Sequence, residues 1–320
     1  MVFKLKGNDV IREQDIEVTE SLIGIYGYNN SGKTTILKEL DKVIDEENIK
    51  CIVNDGEYIR SLFIPTNRVI VRQAHTSSIQ IKDIEEFLAY KKDSYNEFDL
   101  HLRLIRENLL RNNAVRQVVK NAIIYMFGED YEFDFDRRQS DGVENIINIY
   151  CSIIWLFTWD KDIEDIKYDK LKQLLCDTSA VVMIDEIEAF LHVYVQSRML
   201  QKFKEDFSKC SFVFTTHSPL LLSRYYNIRK FQLDNGILNE INADLYYKDL
   251  DNIYEVYFNV EEFPKEAGEI INRLGDYICG EEYNRDVIVK DLEILNEQYA
   301  NVKAKYPGLV AKAEVKLGVE

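Results

Sequence analysis

The sequence is poor in loop-forming residues and in thiols, and its positive charges are outnumbered by acids. Its 320 residues include only 4 prolines and 13 glycines, so the places where glycines gather stand out. Five cysteines (Cys51, Cys151, Cys176, Cys210 and Cys279) are scattered, odd in number and never spaced as C-x-x-C. That spacing excludes a disulfide framework and argues against a zinc site. They read as reduced thiols of a cytoplasmic protein. No apolar run reaches the roughly 20 residues of a membrane span. The strongest, Ile146 to Trp159, is broken by Asn148, Ser152 and Thr158, and the opening MVFKLKGNDV holds no apolar signal region. A soluble chain with no membrane partner is expected. Lys and Arg number 40 against 56 Asp and Glu, a net charge of −16, which disfavours a broad grip on phosphate backbones.

What is present alternates between strand and helix. Val2–Leu5, Ile16–Val18 and the apolar run Leu22–Tyr26 read as strands, and Thr34–Ile44 as a helix with Ile36, Leu37, Leu40 and Val43 on one face. Residues 61–72 read as a buried strand interrupted by Pro65, residues 81–127 as helical, and Tyr131–Phe135 alternates like a strand. A strongly apolar helix, Val143–Trp159, precedes two buried strands, Val181–Ile184 and Ser211–Thr215, which flank a helix around Tyr194–Phe207. Phe231–Ile241 reads as a hairpin turning at Asp234-Asn235-Gly236. Beyond Pro264 the chain is helical and acidic. This order predicts an α/β fold, with a sheet-based domain over residues 1–245, a helical insertion at about 80–128 within it, and a helical region over 246–320.

Two segments carry phosphate chemistry. Gly27-Tyr28-Asn29-Asn30-Ser31-Gly32-Lys33-Thr34 fits G-x-x-x-x-G-K-[ST], between a buried strand and an amphipathic helix. In such a loop successive N–H groups and the helix N-terminus hold a polyphosphate. Lys33 would neutralise the β- and γ-phosphates and the Thr34 hydroxyl would ligand Mg²⁺. Val181-Val182-Met183-Ile184-Asp185-Glu186 is an apolar strand ending in two acids. Asp185 would hold Mg²⁺ through water, and Glu186 would polarise the attacking water. A second buried strand ends at His217, one of 4 histidines, where a neutral imidazole could bond the γ-phosphate or the water. Between these segments Ser140-Asp141-Gly142 opens the apolar helix, either as a second anion site or as an ordinary helix cap.

The order of these motifs, with the wording GYNNSGKTT, SDG, IDEIEAFLH and TTHSP, resembles the ABC-type ATPases, and within them the overcoming-lysogenization-defect (OLD) branch and related anti-phage ATPases of the Septu, Gabija and retron-linked kind. The resemblance covers about residues 1–225. It implies an ABC-type P-loop sheet and a homodimer with each ATP between the phosphate loop of one subunit and the SDG signature of the other. Carried over by position, Gly27, Asn29, Asn30, Ser31, Gly32, Lys33, Thr34 and Thr35 hold phosphate and Mg²⁺. Gln73 positions water, Ser140, Asp141 and Gly142 reach the nucleotide across the interface, Glu186 is the base and His217 the sensor. Two departures bear on rate. Asp141 places negative charge near a partner's ATP, and Asp185-Glu186-Ile187-Glu188 and Leu191-His192-Val193 stand where relatives read DEPE and LHP. Turnover is expected to be slow or triggered.

Many OLD-type chains carry a Toprim nuclease, which needs a glutamate strand and an Asp-x-Asp because two-metal cleavage requires clustered carboxylates. The lone Asp-x-Asp after the histidine, Asp249-Leu250-Asp251, has no convincing glutamate strand, so a separate effector, a nuclease by expectation, is the implied partner. Arg103, Arg106, Arg111, Arg116 and Lys120, set against the single acid Glu107, form either a solvated helix face or a nucleic-acid contact. In the tail, Ile270, Ile271, Leu274, Ile278, Leu292 and Leu295 lie at helical spacing, either covering the ATPase core or docking the effector. A DNA-repair ATPase of the RecF/SMC type is the alternative, disfavoured by an insertion too short for coiled-coil arms. A transporter's ATP-binding subunit fits less well still.

Overall fold

The structure is a computed structural model that describes residues 1–18, 22–53, 59–66, 105–161, 163–223, 225, 227–241, 265–280 and 283–318. The chain folds as two compact units, Met1–Lys248 and Asp249–Glu320.

The first unit is built on a six-stranded sheet. Its strands are β3 (Leu22–Tyr26), β4 (Ser61–Ile64), β5 (Ala180–Ile184), β6 (Cys210–Thr216), β7 (Arg229–Asp234) and β8 (Ile237–Glu240), in the order β4-β5-β6-β3-β7-β8. The first five strands in that order are parallel and β8 pairs antiparallel to β7. Parallel strands are covered on both faces and so read as unbroken apolar runs. β3, β4 and β5 are buried at every position. Successive side chains then serve opposite layers. Val181, Met183 and Val213 join a cluster with Ile36, Leu37 and Leu40 of helix α1 (Lys33–Val53) and with Phe3, Leu5 and Ile16 of the β1 (Val2–Leu5) and β2 (Gln14–Glu17) pair. Phe212 instead stacks on Phe203, 5.4 Å between ring centroids.

That second layer holds α2 (Asn113–Phe127), α3 (Asp141–Thr158), α4 (Tyr168–Asp177), α5 (Val193–Asp206) and the short α6 (Pro219–Ser223). Beyond its first turn helix α3 is largely apolar and buried on almost every side; its Ser152 and Thr158 hydroxyls turn back onto the carbonyls of Asn148 and Ile154, each at 2.8 Å. The β7–β8 turn has left-handed backbone at both central residues, φ 48° at Asn235 and 76° at Gly236, the geometry that matches strand twist.

Three expectations are corrected. Tyr131–Phe135 is not a strand: its rings pair locally, Phe127 with Tyr131 at 5.0 Å and Phe133 with Phe135 at 4.6 Å. Arg106 does not present a nucleic-acid contact, because it is half-buried against α3 in an ion pair with Glu144 and a 3.3 Å bond to Asn148. Arg116 lies over the Phe135 ring at 4.7 Å, which leaves Arg111 and Lys120 exposed, while Arg103 lies outside the described residues. The tail's apolar rows, finally, are consumed among themselves. In α7 (Lys265–Cys279), α8 (Arg285–Glu297), α9 (Ala300–Lys305) and α10 (Pro307–Leu317), Ile270, Leu274, Leu292 and Leu295 pack with Ile288, Val302, Val310 and Leu317 as one core. Ile271 and Ile278 are partly buried against it. Arg273 clamps the buried Asp291 with two 2.8 Å bonds. Among the described residues no helix is long and apolar enough to cross a membrane.

Candidate functional site

Strand β3 runs directly into the loop 27–32, and α1 starts at Lys33. The loop turns on left-handed backbone at Asn30, φ 62°, and Gly32, φ 99°. The conformation at Gly32 is one that L side chains rarely adopt, which is what requires glycine there. Asn29 and Asn30 are exposed, Thr35 is half-buried, and Ser31 Oγ is sealed from solvent with no hydrogen-bond partner. Such a group marks a place where something else completes the bonding.

Lys33 is only 7% exposed. Its ammonium donates to the carbonyls of Gly27 and Tyr28, both at 2.9 Å, which curls it back over the loop. Burial pushes its pKa below the ordinary lysine value, and the charges of Glu186, Asp185 and Glu188 pull it part of the way back. Desolvation is the larger effect, and the three acids offset only part of it.

The acids come from the end of β5. Asp185 is buried and receives three hydroxyls: Thr34 at 2.8 Å and Thr66 at 2.9 Å on Oδ2, and Thr215 at 2.6 Å on Oδ1. These link the carboxylate to α1, to the residues after β4, and to β6. Glu186 follows with its backbone N–H on Thr215 Oγ1 at 2.7 Å and with φ 44°, a conformation that costs a non-glycine residue energy and persists where the surroundings impose it. Its carboxylate lies 3.9 Å from His217 Nε2. Strand β6 stands between β3 and β5, which is what carries His217 to a point beside both loop and acids.

Helix α3 brings the remaining segment. Ser140 is its N-cap residue but makes no side-chain cap bond, and Ser140 and Asp141 are exposed. The simple cap is therefore not what the hydroxyl does. Gly142 is buried, and a Cβ there would stand 2.7 Å from the Phe190 carbonyl oxygen. Asn145 donates to the Ala189 carbonyl at 2.7 Å. The helix start is thus fastened to the turn that follows the acids. Gln73 lies outside the described residues.

Thr66, Thr215, Asn145 and Glu188 have no role that the sequence alone assigns. The donors around Asp185 and Thr34 are all hard oxygens, the kind that suits Mg²⁺ rather than a softer metal. No group of three or more His, Cys, Asp or Glu among the described residues could hold a metal ion by itself. A magnesium here would complete its shell with waters or phosphate oxygens, as Mg²⁺ commonly does.

Residues 171–223, from α4 through the acids to His217 and α6, match the family model described as "AAA domain, putative AbiEii toxin, Type IV TA system". The chain is similar to the Septu protein PtuA of Bacillus mycoides (strain KBAB4), 31% identical over 129 residues, covering 37% of this chain and 18% of that one. It is also similar to the "Retron Ec83 probable ATPase" of Escherichia coli, 23% identical over 176 residues, covering 48% of this chain and 32% of that one. The chain thus spans less than a third of the curated relatives it matches. Among solved structures, the ATP-binding subunit of an ABC transporter superposes at TM-score 0.42 and 16% identity, over 79% of this chain and 96% of that one. Strand order and loop geometry, rather than that superposition, carry the fold described above.

Proposed function

We propose that this chain binds ATP with Mg²⁺ at residues 27–35 and hydrolyses it, as the nucleotide-driven switch of an anti-phage defence system. In this reading it is cytoplasmic, acts as a homodimer and controls a separate effector of the nuclease class. Residues 1–245 form the ATPase domain and 246–320 a helical region of their own. The observation that supports it most is the Thr34 hydroxyl seated 2.8 Å from the Asp185 carboxylate, directly beside a desolvated Lys33. The names of the two curated relatives, a Septu protein and a retron ATPase, support the defence setting.

In this reading each residue has a role. Backbone N–H groups at Asn29, Asn30, Ser31 and Gly32, with the start of α1, cradle the phosphates, and the buried Ser31 hydroxyl gains the partner it lacks. Thr35 supports the same cradle from the first turn of α1. Lys33 neutralises the β,γ-phosphates. Thr34 and Asp185 would hold Mg²⁺, which when bound supplies charge neutralisation to the γ-phosphoryl group. Glu186 takes a proton from the water that attacks the γ-phosphorus as the bond to the bridging oxygen breaks. His217 orients that water or the γ-phosphate. Gln73 remains a water-positioning residue of the proposal by resemblance. Ser140, Asp141 and Gly142, at the N-terminus of α3, face a partner subunit's nucleotide, with the Gly142 backbone already locked to the turn after the acids.

The test is Glu186→Gln, which keeps the shape but cannot act as a base. The variant should retain ATP through gel filtration and double in mass by light scattering when ATP and Mg²⁺ are added. A variant that stays monomeric and releases its nucleotide as fast as the parent would refute both base and dimer.

A further inference from the structure

We infer that Glu188 is the positioning residue for His217, gripping the histidine's backbone so that its imidazole meets Glu186; this rests on the ATP-hydrolysing reading above. Glu188 lies two residues beyond Glu186 on the turn after β5. Its Oε1 accepts the backbone N–H of His217 at 2.6 Å, across 29 residues of sequence. Its Oε2 is sealed from solvent without a hydrogen-bond partner, whereas an ordinary surface acid on a turn would reach water.

The strand end explains why a grip is needed. Beyond Thr216 the backbone of β6 leaves its ladder, and its next two N–H groups are both taken by side chains. Glu188 holds that of His217, and Thr216 Oγ1 holds that of Ser218 at 2.9 Å. Ser218 Oγ in turn donates to Gln196 at 2.7 Å. The turn bearing Glu188 is itself fixed, with Ala189 N–H on the Glu186 carbonyl and Leu191 N–H on the Glu188 carbonyl, both 2.9 Å, and Ile187 N–H on the Thr215 carbonyl at 3.1 Å. Glu186, Glu188 and His217 therefore close a small ring: two residues along the turn, one charge-assisted hydrogen bond, and the 3.9 Å approach of imidazole to carboxylate. Opening the ring at Glu188 leaves His217 attached to the strand but free to swing, and a misplacement of about 1 Å at a reacting centre can cost a hundred-fold in rate.

Two full-length variants separate geometry from charge. Glu188→Gln keeps an acceptor of the same reach without the charge; Glu188→Asp keeps the charge but is one methylene too short. Glu188→Ala removes both. Labelling with ¹⁵N-histidine gives a small set of amide signals, and the one lost in His217→Ala belongs to His217. That proton should lie downfield in the parent, move furthest upfield in E188A and E188D, and move only part of that way in E188Q, which keeps the bond but loses the charge. In steady-state ATP hydrolysis kcat should fall about ten- to a hundred-fold in E188A and E188D, with KM within about two-fold of the parent, and E188Q should recover most of the rate. An amide that E188A leaves in place, an unslowed kcat, or E188Q and E188D giving equal rates would overturn the assignment, the last deciding it even if E188A fails to fold. A parent chain that neither binds nor hydrolyses ATP defeats the underlying reading and this role with it. An active parent with unaffected variants defeats this role alone.

Discussion

Lys33→Ala separates folding from binding, because the structure assigns the ammonium opposing roles in the free chain. It donates two charge-assisted bonds, to Gly27 and Tyr28, each worth roughly 1.5–3 kcal/mol. Against that stands the cost of burying a cation, recorded in its lowered pKa. These terms largely cancel, so the free variant should differ from the parent by about 1 kcal/mol or less in stability. In the nucleotide complex nothing cancels. Removing one partner of a desolvated charge pair costs about 2–5 kcal/mol, which is about thirty- to several-thousand-fold in Kd. Calorimetric titration of ATP with Mg²⁺, run beside a thermal melt of each free protein, reads both quantities. A folded variant that binds ATP within about three-fold of the parent would refute the argument. So would a variant that has lost its melting transition, since the loop was taken to fold without the ammonium.

Two further outcomes are expected. The lowered pKa of Lys33 means that, between that value and the ordinary 10.5, the unfolded chain holds a proton the folded chain has released. This group therefore makes stability rise with pH across that window. A bound polyphosphate would restore the proton, so nucleotide binding in that window should be accompanied by proton uptake, seen as a dependence of binding enthalpy on buffer ionisation; release of protons, or no buffer dependence, contradicts it. Gly142→Ala, whose Cβ would meet the Phe190 carbonyl oxygen at 2.7 Å, should destabilise the chain by about 1–3 kcal/mol and lower its melting temperature. An unchanged melt would mean that the start of α3 is not clamped to that turn.

The parts of the site legible in sequence are those whose chemistry is local. A glycine loop between an apolar strand and an amphipathic helix, or four buried residues ending in two acids, shows in consecutive letters. So does Asn235-Gly236, because a hairpin turn is decided by its own two residues. The hydroxyls of Thr66 and Thr215 on Asp185, and Glu188 on the His217 backbone, join segments 29 to 119 residues apart, and nothing in one sequence announces such pairs. Arg106 shows the same limit. Its charge is visible, but the Glu144 and Asn148 that absorb it lie on another helix. Tyr131–Phe135 differs: alternation there serves ring-to-ring pairing within the loop and with the end of α2, a pattern that mimics a strand's period of two. In the tail the helical spacing was right, but spacing cannot say what an apolar row packs against, and here it packs on its own neighbours.

The placement of β6 has a consequence for tolerance to change. Neighbouring strands stand about 4.8 Å apart, so the phosphate loop on β3 and the acids on β5 face each other across the width of a single strand. Phe212, Val213 and Phe214 inside that strand are fully buried and serve both layers of the molecule. An altered residue there would shift the spacing of loop and acids while also disturbing two cores. In a survey of tolerated substitutions this seven-residue strand should be the least forgiving stretch of the sheet.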